Sequence, residues 1–108
     1  MANDKINVNM FGTFSLSRGN VTVDLTKLLG KQLINLFQLL LLQKGVVISK
    51  NNIIDILYPD SENPNSVVKF SIFRLRKDLK ASGIFNEDEE VILTVKGGYQ
   101  INPKLEWV

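Results

Sequence analysis

The sequence predicts an α+β domain: an N-terminal three-stranded antiparallel sheet, three helices and a closing β-hairpin. Three observations predict it. Apolar residues recur at period two over residues 6–26, the spacing of half-buried strands. Between Lys31 and Lys80 they recur at helical spacing in three blocks. Val91–Ile101 (VILTVKGGYQI) then sets two alternating runs on either side of a Gly–Gly pair, the composition of a hairpin.

The elements follow in order. Ile6, Val8 and Met10 alternate with Asn7 and Asn9, and Phe14 and Leu16 with Thr13, Ser15 and Ser17. Val21, Val23 and Leu25 alternate with Thr22, Asp24 and Thr26. Gly12 and Arg18–Gly19–Asn20 supply the turns between three strands. From Lys31 the period changes: Leu33, Leu36, Phe37, Leu40 and Leu41 share one arc, which places the first helix centrally. Leu42 falls on its polar side, where another element or a partner would cover it. Gly45 has the position of a helix-ending C′ glycine. Ser49 is a good N-cap for a second helix over Lys50–Tyr58, with Ile53, Ile54 and Leu57 inward and Pro59 as its stop. A polar loop, Asp60–Asn63, precedes Pro64, which suits the first turn of a third helix. In that helix Val68, Ile72, Leu75 and Leu79 make one inward stripe, and Gly83 ends it. Gly97–Gly98 offers the positive φ angles of a tight hairpin turn. Tyr99 and Ile101 return the chain, and Pro103 ends the strand.

Composition narrows the function classes. At 108 residues the chain is expected to be one domain, spanning 1–108. It has no histidine and no cysteine. That removes the commonest general base and metal ligand, any thiolate metal site and any disulfide framework. No enzyme activity, cofactor or metal is therefore expected. The longest apolar run, Leu36–Leu42, is too short to span a bilayer. The polar start MANDKINVN lacks a signal-peptide core, so a cytoplasmic protein without membrane contact is expected.

The net charge of +2 says little; its distribution says more. The third helix carries Lys69, Arg74, Arg76, Lys77 and Lys80 against the single acid Asp78 between residues 69 and 80. Glu87–Asp88–Glu89–Glu90 follows as an acidic loop. Consecutive acids lack the spacing and turn glycine of a calcium loop, so a solvated loop is expected. A cationic helix with a hairpin just behind it is the pattern of a winged helix-turn-helix. The helix enters the major groove of duplex DNA, and the hairpin wing reaches the neighbouring backbone or minor groove.

At about 100° per residue, the face opposite the apolar stripe carries Ser66, Phe70, Phe73, Arg74 and Lys77. Arg74 is best placed to reach a base edge, where an arginine grips guanine through two hydrogen bonds; alternatively it touches only phosphate or solvent. Ser66 and Phe70 are further candidates for base contact. Lys69, Arg76, Lys77 and Lys80 are expected to hold phosphates, with Lys96 acting from the wing tip and Thr94 adding a hydroxyl bond. Lys96 and Thr94 are equally compatible with a plain solvated turn and strand. If six or so phosphates are neutralised, the log–log slope of affinity against salt would be roughly −5. Phe70 and Phe73 admit three readings: contact with thymine methyls, capture of a protein partner, or packing against the wing or second helix. The second defines an alternative function, a protein-interaction module on a winged-helix scaffold.

The segments NPNSVVKFSIFRLRKDL (Asn63–Leu79) and VILTVKGGYQINP (Val91–Pro103), with MFGTFSL (Met10–Leu16) and GVVISKNNIIDILYP (Gly45–Pro59), resemble the OmpR-type winged-helix domain. The likeness is closer to the version in SARP and bacterial transcriptional activator domain (BTAD) proteins, with Tyr58 where that family usually has Trp. The resemblance spans nearly the whole chain in one order. It implies sequence-specific binding of double-stranded DNA in bacterial transcription regulation. It further implies an RNA polymerase contact through the loop Pro59–Asn63 and head-to-tail dimers on direct repeats. Family members usually add a receiver or helical-repeat region, so this chain is expected to be part of a larger regulator. Phe70 and Phe73 depart from the polar residues usual on the family's recognition helix.

Overall fold

The computed structural model describes residues 5–107; the first four residues of the polar start and Val108 lie outside them. Three short strands open the fold: β1 (Asn7–Asn9), β2 (Ser15–Arg18) and β3 (Val21–Asp24). They pair antiparallel in that order. The register sets Val8 opposite Leu16 and Leu16 opposite Val23, so one apolar row crosses the sheet and faces the core, as a side-chain period of two requires.

The alternation extends the third strand through Thr26, but the strand stops at Asp24. Its carboxylate accepts the backbone N–H of Thr26 at 2.9 Å and also the Thr26 hydroxyl. That is N-cap chemistry. It starts a one-turn helix, α1 (Leu25–Leu28), beyond the three helices expected. The bond from the Thr26 hydroxyl is the main reason the Asp24 carboxyl is held below the usual carboxylate range. Leu25 is fully buried, so its apolar character fits either element and could not separate them.

Helix α2 (Lys31–Leu42) buries Leu36, Phe37, Leu40 and Leu41. Gln43 is its cap, so Gly45, with φ of 90°, sits two residues beyond the cap rather than directly after it. A two-residue strand, β4 (Ile48–Ser49), follows where the sequence reads as a connection; two residues are too few for alternation to register. The Ser49 hydroxyl then accepts the Asn52 N–H at 3.0 Å and caps α3 (Lys50–Leu57). Pro64 begins α4 (Pro64–Ala81), the third helix of the sequence reading. Its stripe Val68, Ile72, Leu75 and Leu79 is buried throughout. Gly83, with φ of 84°, follows the Ser82 cap.

The chain closes with β5 (Ile92–Val95) and β6 (Gly98–Ile101). β6 is central in a second sheet, ordered β4-β6-β5. The wing is therefore three-stranded, not a free hairpin. Helices α2, α3 and α4 pack on one another, and α2 packs on β6. The core between them holds Leu36, Phe37, Ile53, Ile72, Leu75 and Ile101. The segment after β6 returns to the start of the chain. The Ile6 N–H donates to the Glu106 carbonyl at 2.7 Å, and the Trp107 ring lies 6.2 Å from that of Phe85. Among the described residues no helix is long and apolar enough to cross a membrane.

The acidic loop is not wholly solvated. Glu89 takes both ends of the Arg18 guanidinium, at 2.7 and 2.9 Å, and accepts the Asn86 N–H. Arg18 also donates to the Ile84 carbonyl at 3.2 Å. Sequence spacing could not reveal this pair, because its members lie on β2 and in the loop before β5. The other acids, Glu87, Asp88 and Glu90, are exposed.

Candidate nucleic-acid interface

Helix α4 is amphipathic in a specific sense: its buried stripe fixes which residues must face out. Ser66, Lys69, Phe70, Phe73, Arg74 and Lys77 are all exposed. Phe70 and Phe73 retain 61% and 60% of their surface. The packing of one or both against the wing or the second helix, allowed by the sequence, does not occur. The Arg74 guanidinium carbon stands 6.0 Å from the centre of the Phe70 ring, within cation–π range. A groove of about 410 Å³ beside this pair runs to Leu28, Lys31 and Leu33.

Two cations of the helix are used inside the fold. Arg76 is half-buried. It donates from Nε and Nη2 to the Ile92 carbonyl at 3.2 and 2.8 Å, and from Nη2 to the Thr94 hydroxyl at 2.8 Å. It thus ties α4 to β5, and Thr94 is one of its acceptors. Lys80 donates to the Glu87 carbonyl at 2.7 Å. Helical spacing places both at the edge of the stripe but does not show what they bond to; Lys80 remains exposed. Lys69, Lys77 and Lys96 have no hydrogen bond or ion pair among the described residues.

The wing tip is built by its two glycines in different ways. Gly97 has φ of 84°, the left-handed region that glycine enters without penalty. Gly98 does not have a positive φ, contrary to the sequence expectation. A Cβ there would sit 2.2 Å from the Ile48 carbonyl oxygen, so its role is close approach of β6 to β4. The Lys50 N–H donates to the Gly97 carbonyl at 3.0 Å, which pins the turn to the start of α3. Lys96 is thereby exposed at a fixed tip. Sequence reasoning passed over Lys31 as an interface residue. It is an exposed cation lining the groove beside Arg74, and its place on the polar face of α2 was the available signal. Among the described residues no three acidic side chains gather closely enough to hold a metal ion.

A solvent-facing cationic helix, a second helix packed behind it, and a wing fixed to both define a winged helix-turn-helix DNA-binding domain. The chain belongs to the family described as "Transcriptional regulatory protein, C terminal", which matches residues 25–101, an OmpR-type winged-helix family. It is a DNA-binding domain of transcription regulation. A solved structure described as the DNA-binding domain of E. coli CadC is similar to it, with 28% sequence identity and a TM-score of 0.66; the likeness covers 98% of each chain. No curated relative matches the chain.

Proposed function

We propose that the chain binds specific sites in double-stranded DNA as part of a bacterial regulator, with α4 in the major groove and the β5–β6 wing on the adjoining backbone or minor groove. The observation that carries this reading is the single outward face of α4. Lys69, Arg74 and Lys77 stand there without an ion-pair partner among the described residues, and Arg76 locks the same helix to a wing that ends in Lys96. Arg74 reads a base edge, Lys69, Lys77 and Lys96 hold phosphates, and Ser66 adds a contact from the first turn of α4. Arg76, Thr94 and Lys80 act chiefly by fixing the geometry, since each already has a hydrogen-bond partner within the chain.

The closer motif likeness of Asn63–Leu79 and Val91–Pro103 to SARP and BTAD proteins supports placing the regulator among transcriptional activators acting in the cytoplasm. The exposed acids Asp60 and Glu62 in the α3–α4 loop suit a contact with RNA polymerase, while a second copy binds head to tail on a direct repeat.

Binding to duplex DNA measured across a salt series tests the reading. With four cations on phosphate or base, the log–log slope is about −3 to −4, shallower than a six-phosphate grip would give. A flat salt dependence would sink the proposal. On a binding site obtained by selection from random duplexes, Arg74→Ala relaxes preference at one base pair, whereas Lys77→Ala weakens all sequences alike and reduces the slope by about 1. Equal effects of both variants on all sequences would refute the division of roles.

A further inference from the structure

The two phenylalanines in the centre of a cationic helix face call for an occupant. Phe70 and Phe73 are more than half exposed, and a folded domain gains nothing from holding them in water. Three residues apart, they are about 4.5 Å apart along the helix axis, comparable to the base-pair rise of ~3.4 Å. Lys69, Arg74 and Lys77 surround them, and Asp78 is the only acid in α4. An apolar pair inside a cationic rim on a convex helix suits a polyanion with apolar groups inside a groove. The major groove of DNA has one such group, the C5-methyl of thymine.

We propose that Phe70 and Phe73 read thymine methyl groups, so that the bound site carries thymines on the base steps flanking the pair addressed by Arg74. The inference rests on the DNA-binding reading above and extends it to the class of sequence bound. Its selectivity has two sides. Against a thymine methyl, each ring buries apolar surface. Against guanine O6 or N7, adenine N6 or cytosine N4, the same ring strips water from a polar group and offers no hydrogen bond in return. Arg74 belongs to the same outward surface, because its guanidinium lies 6.0 Å from the centre of the Phe70 ring.

Deoxyuridine in place of thymidine provides the test, since it removes the methyl and leaves the Watson–Crick edge intact. The full chain is first used to select a duplex site. Each thymine of that site is then replaced singly by deoxyuridine, and affinity is measured by fluorescence anisotropy. At two or more positions the wild-type chain is expected to weaken about fourfold, the change corresponding to one buried carbon. Phe70→Ala and Phe73→Ala are each expected to remove the sensitivity at one of these positions, with unchanged melting temperature because both side chains are exposed. Tight binding that ignores every methyl overturns the proposal while leaving DNA binding intact. So does a Phe73→Ala variant that binds the selected site as well as the wild type, which would assign this face to a protein partner. Failure to select any duplex removes the DNA-binding reading itself, and the proposal with it.

Discussion

At the scale of single residues, the wing tip separates two demands that a Gly–Gly pair hides. Gly97 is there for its backbone angle and Gly98 for lack of a side chain. The two therefore fail differently. Gly97→Ala forces an alanine into the left-handed region and costs roughly 1–2 kcal/mol. Gly97→Asn costs less, because asparagine tolerates that region. Gly98→Ala drives a methyl into the Ile48 carbonyl, which is backbone and cannot swing away. The β4–β6 pairing must open, with a loss of about 3 kcal/mol at the upper end of overpacking costs. Urea denaturation of the three variants should rank Gly98→Ala as the least stable. If Gly97→Asn proves as damaging as Gly98→Ala, this account of the turn is wrong. The same approach of strands explains why β4 exists, since only a residue without a Cβ lets Ser49 pair opposite position 98.

At the scale of elements, the link between α4 and the wing depends on Arg76. One guanidinium spans the Ile92 carbonyl and the Thr94 hydroxyl, so the helix and β5 turn as a unit. Arg76→Met keeps much of the apolar stem and removes the fork. It should cost about 1.5–3 kcal/mol, the range for a hydrogen bond to a charged group. It should also uncouple the wing from DNA binding: Lys96→Ala weakens binding in the wild type and has little further effect in the Arg76→Met background. Strictly additive losses in that double-mutant cycle would mean that the wing is positioned without Arg76. The elements themselves were largely legible. The α4 stripe, the Ser49 cap, the Pro64 start and the Gly83 end follow local rules that hold in the structure. What escaped was short or non-local: the one turn of α1, the two residues of β4 and the partner of Arg76. Of the candidate site, the outward face of α4 was readable because its period is local. Which cations already have a partner within the chain was not, because the acceptors of Arg76 and Lys80 lie at least seven positions away.

At the scale of the whole molecule, the N-terminal sheet must be held to the helical body, and an ion pair between residues 71 positions apart helps to do so. Arg18 on β2 and Glu89 before β5 meet through two short bonds, with side chains only 15% and 17% exposed. The Arg18 hydrogen bond is the main reason the Glu89 carboxyl is held below the ordinary glutamate range, assisted by the Asn86 N–H. A carboxyl with a depressed folded-state pKa binds protons less readily in the native chain than in the unfolded one. Its stabilisation is therefore complete above the unfolded value and is lost as pH falls through the folded value. Glu89→Gln keeps an acceptor for Asn86 and removes the charge. The variant should be about 1–2 kcal/mol less stable near neutral pH. The deficit should shrink steadily on acidification and vanish once pH has fallen below the folded-state value, where the wild-type carboxyl is protonated as well. Denaturation midpoints of the two proteins across that range measure the difference directly, since the other acids titrate in both. A deficit that stays constant with pH would show that Glu89 holds the sheet by shape and hydrogen bonding rather than by charge.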